Sequence, residues 1–396
     1  MLRKTRLFTP GPTPLLPAAQ LAMAAADLHH RTPEFRAMFT RVSEGLKEFI
    51  GTKEDVIVLA SSGTGAMEAS VANLVNAGDV LAVITAGKFG ERWVGICRAF
   101  GCNVRAIAAE YGKTISREEL RDAITPELRA VFMQATESST GVRHDVAAVA
   151  EMIAGSDTLL VVDAITGLGT TALEVDGKID LLIGGSQKAL MCPPGLSFCS
   201  VSERAWARMA ECRQPRYYFD LRRERKVQAK GESAFTPAVA LVAAMDAALA
   251  YVGKMGEGSV ARGREVLVEN AERLAEITRA AVVAGGLELF APESPAAAMT
   301  AVRAPAGVSA TEIVKRLKAE FGGIVSDGQG EMKGSMFRIA HLGYFDYLDT
   351  LGLLGALEQV LVALAPGKFE LGKMVGAAQR SLVSGRDSAP GVADEA

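Results

Sequence analysis

A chain of 396 residues exceeds the usual reach of one hydrophobic core, so two domains, or one large domain with an appendage, are expected. With 49% hydrophobic and 22% charged residues it can bury a large core, and the apolar surplus points to an oligomer. A net charge of −3 offers no basic face for nucleic acid or anionic membrane.

The basic N-terminus lacks the apolar stretch that follows in a secretory signal. Residues 7–17 carry Pro10, Pro12, Pro14 and Pro17 with Gly11, which predicts an extended arm. Helical spacing of Phe35, Met38, Phe39, Val42, Leu46 and Phe49 predicts a helix over 33–51. Short β-rich runs follow at 56–60, 80–85, 104–108, 130–134, 159–162, 181–183 and 196–201. Helix-compatible stretches at 67–76, 91–100, 117–124 and 146–153 separate most of them. Strands alternating with helices predict a mainly parallel seven-stranded sheet covered on both faces, an α/β fold. Ligands bind beyond the carboxyl ends of such strands.

A basic, polar stretch at 222–230 precedes an Ala-rich helix over 237–252. From Gly256 the pattern changes. Helices over 262–281, 311–321 and 347–364 and strands over 287–290, 299–302 and 336–340 predict a smaller α+β domain. The expected division is an arm at 1–15, a large domain at 16–255, a small domain at 256–380 and a disordered tail at 381–396. No apolar run approaches the ~20 residues of a bilayer span, so a soluble, cytoplasmic protein without membrane contact is expected. Cys97, Cys102, Cys192, Cys199 and Cys212 lack metal-ligand spacing and read as free thiols, with no metal site.

Three features fall at predicted strand ends. Ser61-Ser62-Gly63-Thr64-Gly65 opens a helix, and fits either a phosphate cradle or a plain Gly-rich turn. It matches neither the dinucleotide fingerprint nor the Gly-Lys-Ser/Thr phosphate loop, which disfavours a nicotinamide enzyme. Asp163 ends an apolar strand and either caps the next turn or faces a ligand. Lys188 lies among small and apolar residues, where desolvation lowers an amine's pKa and favours the nucleophile, though a snorkelling lysine is the plainer reading. The 188 − 163 = 25 residues between them span one strand-crossover-strand unit, which allows both at one sheet edge. Pyridoxal phosphate (PLP) needs that combination: an amine for its aldehyde, a carboxylate for its pyridine nitrogen and a phosphate cradle.

The chain resembles the class V aminotransferases of PLP fold type I, especially the alanine–glyoxylate and serine–pyruvate (serine–glyoxylate) branch. The motifs are Phe8-Thr9-Pro10-Gly11-Pro12-Thr13-Pro14, His29-His30-Arg31-Thr32-Pro33-Glu34-Phe35, Ser62-Gly63-Thr64-Gly65-Ala66-Met67-Glu68 and Gly87-Lys88-Phe89-Gly90-Glu91-Arg92-Trp93. Glu137-Ser138-Ser139-Thr140-Gly141, Val162-Asp163-Ala164, Gly185-Ser186-Gln187-Lys188-Ala189-Leu190 and Phe337-Arg338-Ile339-Ala340 complete the set.

The resemblance implies that Lys188 binds the PLP aldehyde and shuttles the proton, and that Asp163 pairs with the pyridine nitrogen. It implies that Ser62, Gly63, Thr64 and Gln187 hold the phosphate, Ser138 the ring hydroxyl, and that Phe89 and Ile165 press on the two ring faces. Arg338 would grip the substrate α-carboxylate, with Gly11, Pro12, His30 and Arg31 bordering the pocket. Thr236 would reach the neighbouring subunit's phosphate, implying a homodimer with sites at the interface. Where the family often has Tyr three residues earlier, this chain has Ser233. The implied reaction is ping-pong transamination from alanine, serine or a similar small amino acid to glyoxylate or pyruvate. Relatives use aspartate, 2-aminoethylphosphonate or ureidoglycine. A non-catalytic PLP-fold subunit is a rival, as is cysteine desulfuration, which lacks a cysteine after Cys212.

Overall fold

The protein is described from a computed structural model covering residues 3–386. Helix α1 (Pro17–Ala25) follows the N-terminal arm, and α2 (Pro33–Ile50) starts at the Thr32 side chain, which accepts from the Phe35 N–H. Pro33 at its first position and Gly51 in the left-handed conformation at its end delimit α2, whose apolar stripe is buried as the spacing predicts. Helices α3 (Gly63–Leu74), α4 (Lys88–Ala99), α5 (Arg117–Ala123) and α6 (Val146–Met152) then alternate with strands.

The seven-stranded sheet runs, edge to edge, Asp55–Leu59, Ser197–Val201, Leu181–Gly185, Leu159–Asp163, Ala130–Gln134, Val80–Thr85, Asn103–Ala108. Ser197–Val201 runs antiparallel to both its neighbours, and the other pairings in this sheet are parallel. Alternation divides each strand between two cores. Leu160 and Val162 join the one containing α2, and Leu159 and Val161 the one containing α3. This is the mainly parallel α/β fold the sequence predicts.

Helices α7 (Glu203–Glu211), α8 (Leu221–Gln228) and α9 (Val239–Met255) close this part. A second unit is built around strands Met299–Arg303, Met336–Ala340 and Ser326–Asp327 with α10 (Val260–Ala284), α11 (Ala310–Arg316), α12 (Tyr347–Leu364) and α13 (Lys373–Arg386). Residues Arg6–Leu7 of the arm pair with Gly323–Ile324, and Phe8 lies in this unit's core.

Four expectations are corrected. The strand over 287–290 reduces to one bridge, Leu289 with Val302. The helix over 311–321 widens after Arg316 into a π-helical turn, Leu317–Phe321. Residues 381–386 belong to α13 rather than to a disordered tail, and 387–396 lie outside the described residues. Finally, α12 is by itself long and apolar enough to cross a bilayer, although no such run was expected. Leu353, Leu354, Leu357, Val360 and Leu361 of α12 pack in the second unit's core, which accounts for its apolarity.

Candidate active site

The four parallel strands at the centre of the sheet end at one edge, with Gln134 opposite Asp163 and Asp163 opposite Ile183. The turns beyond them, with the turn after Leu59, enclose a cavity of about 270 Å³. Gly11, Pro12, Ser62, Gly63, Thr64, Phe89, Ser138, Asp163, Ile165, Gln187 and Lys188 all line it.

Lys188 is 8% exposed, and its Nζ donates to the Pro10 carbonyl of the arm. Burial brings its pKa down to about 8; the Arg338 and Arg92 charges act in the same direction and Asp163 opposes them. Burial pushes the Asp163 carboxyl up to about 6, while the Ile165 N–H, 2.9 Å from Oδ1, and the Lys188 charge pull it back. Asp163 therefore does both things its position allowed: it accepts from the following turn and faces the cavity. The arm is fixed over Lys188 by the Thr13 hydroxyl, which donates to the Lys188 carbonyl at 3.0 Å. At Gly11, φ is +143° and a Cβ would strike Lys188 Nζ, so only glycine suits this crossing.

Ser62 is the N-cap residue of α3 but its side chain does not cap the helix, and Ser62, Gly63 and Thr64 line the cavity, so an uncapped helix N-terminus borders it. Gly63 packs against Ile165 so closely that a Cβ would strike Ile165 Cδ1. Gln187 Oε1 and Thr136 Oγ1 are buried with no hydrogen-bond partner among the described residues. Phe89 lies in the first turn of α4, with the Arg92 guanidinium 4.6 Å from its ring centre and donating to Thr64 Oγ1 at 3.0 Å.

Arg338, 3% exposed, stands behind this wall rather than lining it. Nη1 donates to the Ser138 carbonyl at 2.7 Å and Nη2 to the Asp327 carbonyl at 2.8 Å, while Nε has no partner among the described residues. Burial lowers its pKa to about 10, with Glu137 and Asp327 opposing. Thr236 is exposed and outside this chain's cavity. The His29 and His30 rings lie 4.7 Å apart and Arg31 3.9 Å from Glu232, and none of the three lines the cavity.

Residues 18–336 match the family model for aminotransferase class-V. The chain belongs to the class V aminotransferases. An L-aspartate–glyoxylate aminotransferase of Paracoccus denitrificans is 31% identical, with 96% of each chain covered. The crystal structure of an alanine–glyoxylate aminotransferase from Nostoc sp. superposes with a TM-score of 0.84 at 30% identity, covering 91% of this chain and 96% of that one. Both fit the branch inferred from the motifs. A protein of Anabaena cylindrica named soluble hydrogenase 42 kDa subunit is 39% identical over 95% of this chain and 98% of its own. Among the described residues no group of three or more His, Cys, Asp or Glu is arranged to hold a metal ion.

The aminotransferase is PLP-dependent, as its family and fold type are. Its cavity fits that cofactor: a desolvated amine, a buried carboxylate, an uncapped helix N-terminus and the orphaned Gln187 and Thr136 oxygens surround one space. Arg92 and Thr136 of the aminotransferase also line the cavity, and neither is among the site residues expected from the sequence. The i, i+3 spacing from Phe89 was the available signal for Arg92. Thr136 carries no periodic signal.

Proposed function

We propose that this aminotransferase moves an amino group from a small amino acid such as alanine or serine to a 2-oxo acid such as glyoxylate or pyruvate. The observation that carries this reading is the meeting of Lys188 and Asp163 in one small cavity. Bound PLP supplies the aldehyde that takes the amino group and a protonated ring that accepts the electron pair left at the substrate α-carbon.

The chain's own groups supply the rest. Lys188 Nζ, with its pKa near 8, is poised to take a proton from the donor's α-carbon and to give it back on the other side of the exchange. Asp163 keeps the pyridine nitrogen protonated. Ser62, Gly63, Thr64 and Gln187 hold the phosphate, Ser138 the ring hydroxyl, and Phe89 and Ile165 the ring faces. Arg338, whose Nε is unpaired, grips the α-carboxylate. Thr236 completes the site of a second subunit in a homodimer, and the cytoplasm is the expected compartment.

A second reading takes aspartate as the donor. It is supported by the name of the Paracoccus relative and by Arg92, whose guanidinium side chain lines the cavity and suits a side-chain carboxylate. A half-reaction screen, following the visible band of the bound cofactor with each amino acid alone, tests both. Conversion by alanine or serine supports the first. Conversion by aspartate alone, lost in Arg92→Ala, replaces it with the second. No conversion by any amino acid refutes transamination at this site. Arg338→Ala is expected to raise KM for every donor about a hundredfold, the scale of a lost buried charge pair. An unchanged KM removes Arg338 from carboxylate binding.

A further inference from the structure

The first turn of α4 begins at Gly87, which has no side chain to cap the helix, so its N–H groups need acceptors from elsewhere. They find them about fifty residues on, in the turn after strand Ala130–Gln134. Lys88 N donates to Ser139 Oγ at 2.9 Å, and Phe89 N and Gly90 N donate to Glu137 Oε2 at 3.1 and 3.0 Å. The other Glu137 oxygen accepts from Ser139 N at 3.1 Å and Ser139 Oγ at 2.5 Å, and Gln134 Nε2 donates to Oε2 at 3.2 Å. Glu137 has no solvent exposure at all. A Cβ at Gly87 would lie 2.7 Å from Glu137 Cδ, so there is no space for a local cap in its place.

The same turn faces the second unit of the fold. The carbonyl of Ser138, the next residue, accepts from Arg338 Nη1 at 2.7 Å, and Ser138 itself lines the cavity. One buried carboxylate thus fastens the backbone of Phe89 on one side and the turn that holds Arg338 on the other. Its charge also favours the charged form of Arg338.

We propose that Glu137 is a positioning residue of this aminotransferase, holding the Phe89 ring on the cavity wall in register with the Arg338 guanidinium behind Ser138, without touching cofactor or substrate. This rests on the reading of Phe89 as the ring-stacking group and Arg338 as the carboxylate grip. Replacing the carboxylate with an amide turns one of its two acceptor ends into a donor facing N–H groups, so α4 and the 137–139 turn shift apart. Small displacements of that kind misplace the ring and the guanidinium relative to each other.

The test uses Glu137→Gln, Glu137→Asp and Ser139→Ala holoenzymes, with Phe89→Ala and Arg338→Ala as controls. The measurements are the visible circular dichroism per bound PLP, the PLP dissociation constant, and KM and kcat for the best donor. In Glu137→Gln the dichroism per bound cofactor is expected to fall and KM to rise about tenfold or more. Glu137→Asp recovers part of both, and Ser139→Ala moves both less but in the same direction. Wild-type dichroism and KM in Glu137→Gln and Ser139→Ala, with only the melting temperature lowered, would overturn the proposal while leaving the roles of Phe89 and Arg338 intact. If Glu137→Gln does not fold, Ser139→Ala decides by the same criteria. Unchanged dichroism in Phe89→Ala together with unchanged KM in Arg338→Ala overturns the underlying reading and the proposal with it.

Discussion

At Lys188 the buried wall makes the charged amine the costly form, and that sets a pH dependence. With the pKa brought down to about 8, uptake of PLP by the apoprotein is expected to quicken as pH rises from about 7 to 9, since the neutral amine is the nucleophile. The same shift governs stability. Between about 8 and 10.5 the unfolded chain carries a proton on this lysine that the folded chain has released, so apoprotein stability climbs with pH across that window, by roughly 3 kcal/mol at most. Asp163 works in the opposite sense: raised from 3.8 to about 6, it holds a proton in the fold that the unfolded chain has lost, so stability falls as pH rises through that lower window. Melting curves of apoprotein and Lys188→Met at several pH values check this, and parallel pH profiles would refute it. Both residues were legible because Asp163 closes an apolar strand, Lys188 follows the end of another, and their separation fits one crossover unit. Glu137 lay inside a recognised motif but without a role, because backbone N–H groups 48 residues away leave no mark in a sequence.

Among the elements, the start of α3 carries the sharpest demand on residue type. Gly63 has ordinary backbone geometry, so a side chain there would meet no strain, only Ile165. Gly63→Val is therefore expected to fold but to displace Ile165 and crowd the uncapped N–H groups, weakening PLP binding by about tenfold or more, the scale of one or two lost backbone contacts. Fluorescence titration of the apoprotein with PLP measures it, and wild-type affinity would remove the α3 terminus from the phosphate site. The central strands were legible because strands buried on both faces are continuous apolar runs. Helix α8 was not: it is mostly Arg, Lys and Glu, and its buried contacts are largely polar. Gln228 accepts from Val58 N at 2.9 Å and donates to Val58 O at 2.7 Å, covering the edge strand Asp55–Leu59 with an amide rather than an apolar face. The over-read strand at 287–290 is the converse case, since its apolar residues Leu287 and Phe290 are buried without a ladder to join.

Across the whole molecule, the arm ties the two units together at the cavity. Its residues Arg6–Leu7 pair with Gly323–Ile324, Phe8 packs in the second core, and Pro10 meets Lys188. What a single chain leaves open lies on the α3 side. Tyr217 is 73% exposed and Tyr218 43%, both against Phe235, with Arg223 over the Tyr217 and Phe235 rings. Thr236 follows this cluster directly and stands exposed, outside the Lys188 cavity of its own chain. In the proposed homodimer, such a patch would form an isologous contact that carries Thr236 into the partner's site. The consequence is complementation between two crippled chains. In a mixed dimer of Lys188→Ala and Thr236→Ala subunits, one site collects both substitutions and the other collects neither. Random reassortment makes about half the dimers mixed, so about a quarter of the sites regain full PLP retention and turnover. If Thr236 instead served its own chain, every site would keep one defect, and mixing would recover nothing above the Thr236→Ala level. Measuring PLP bound and turnover after unfolding and refolding the two variants together, against each refolded alone, separates the outcomes.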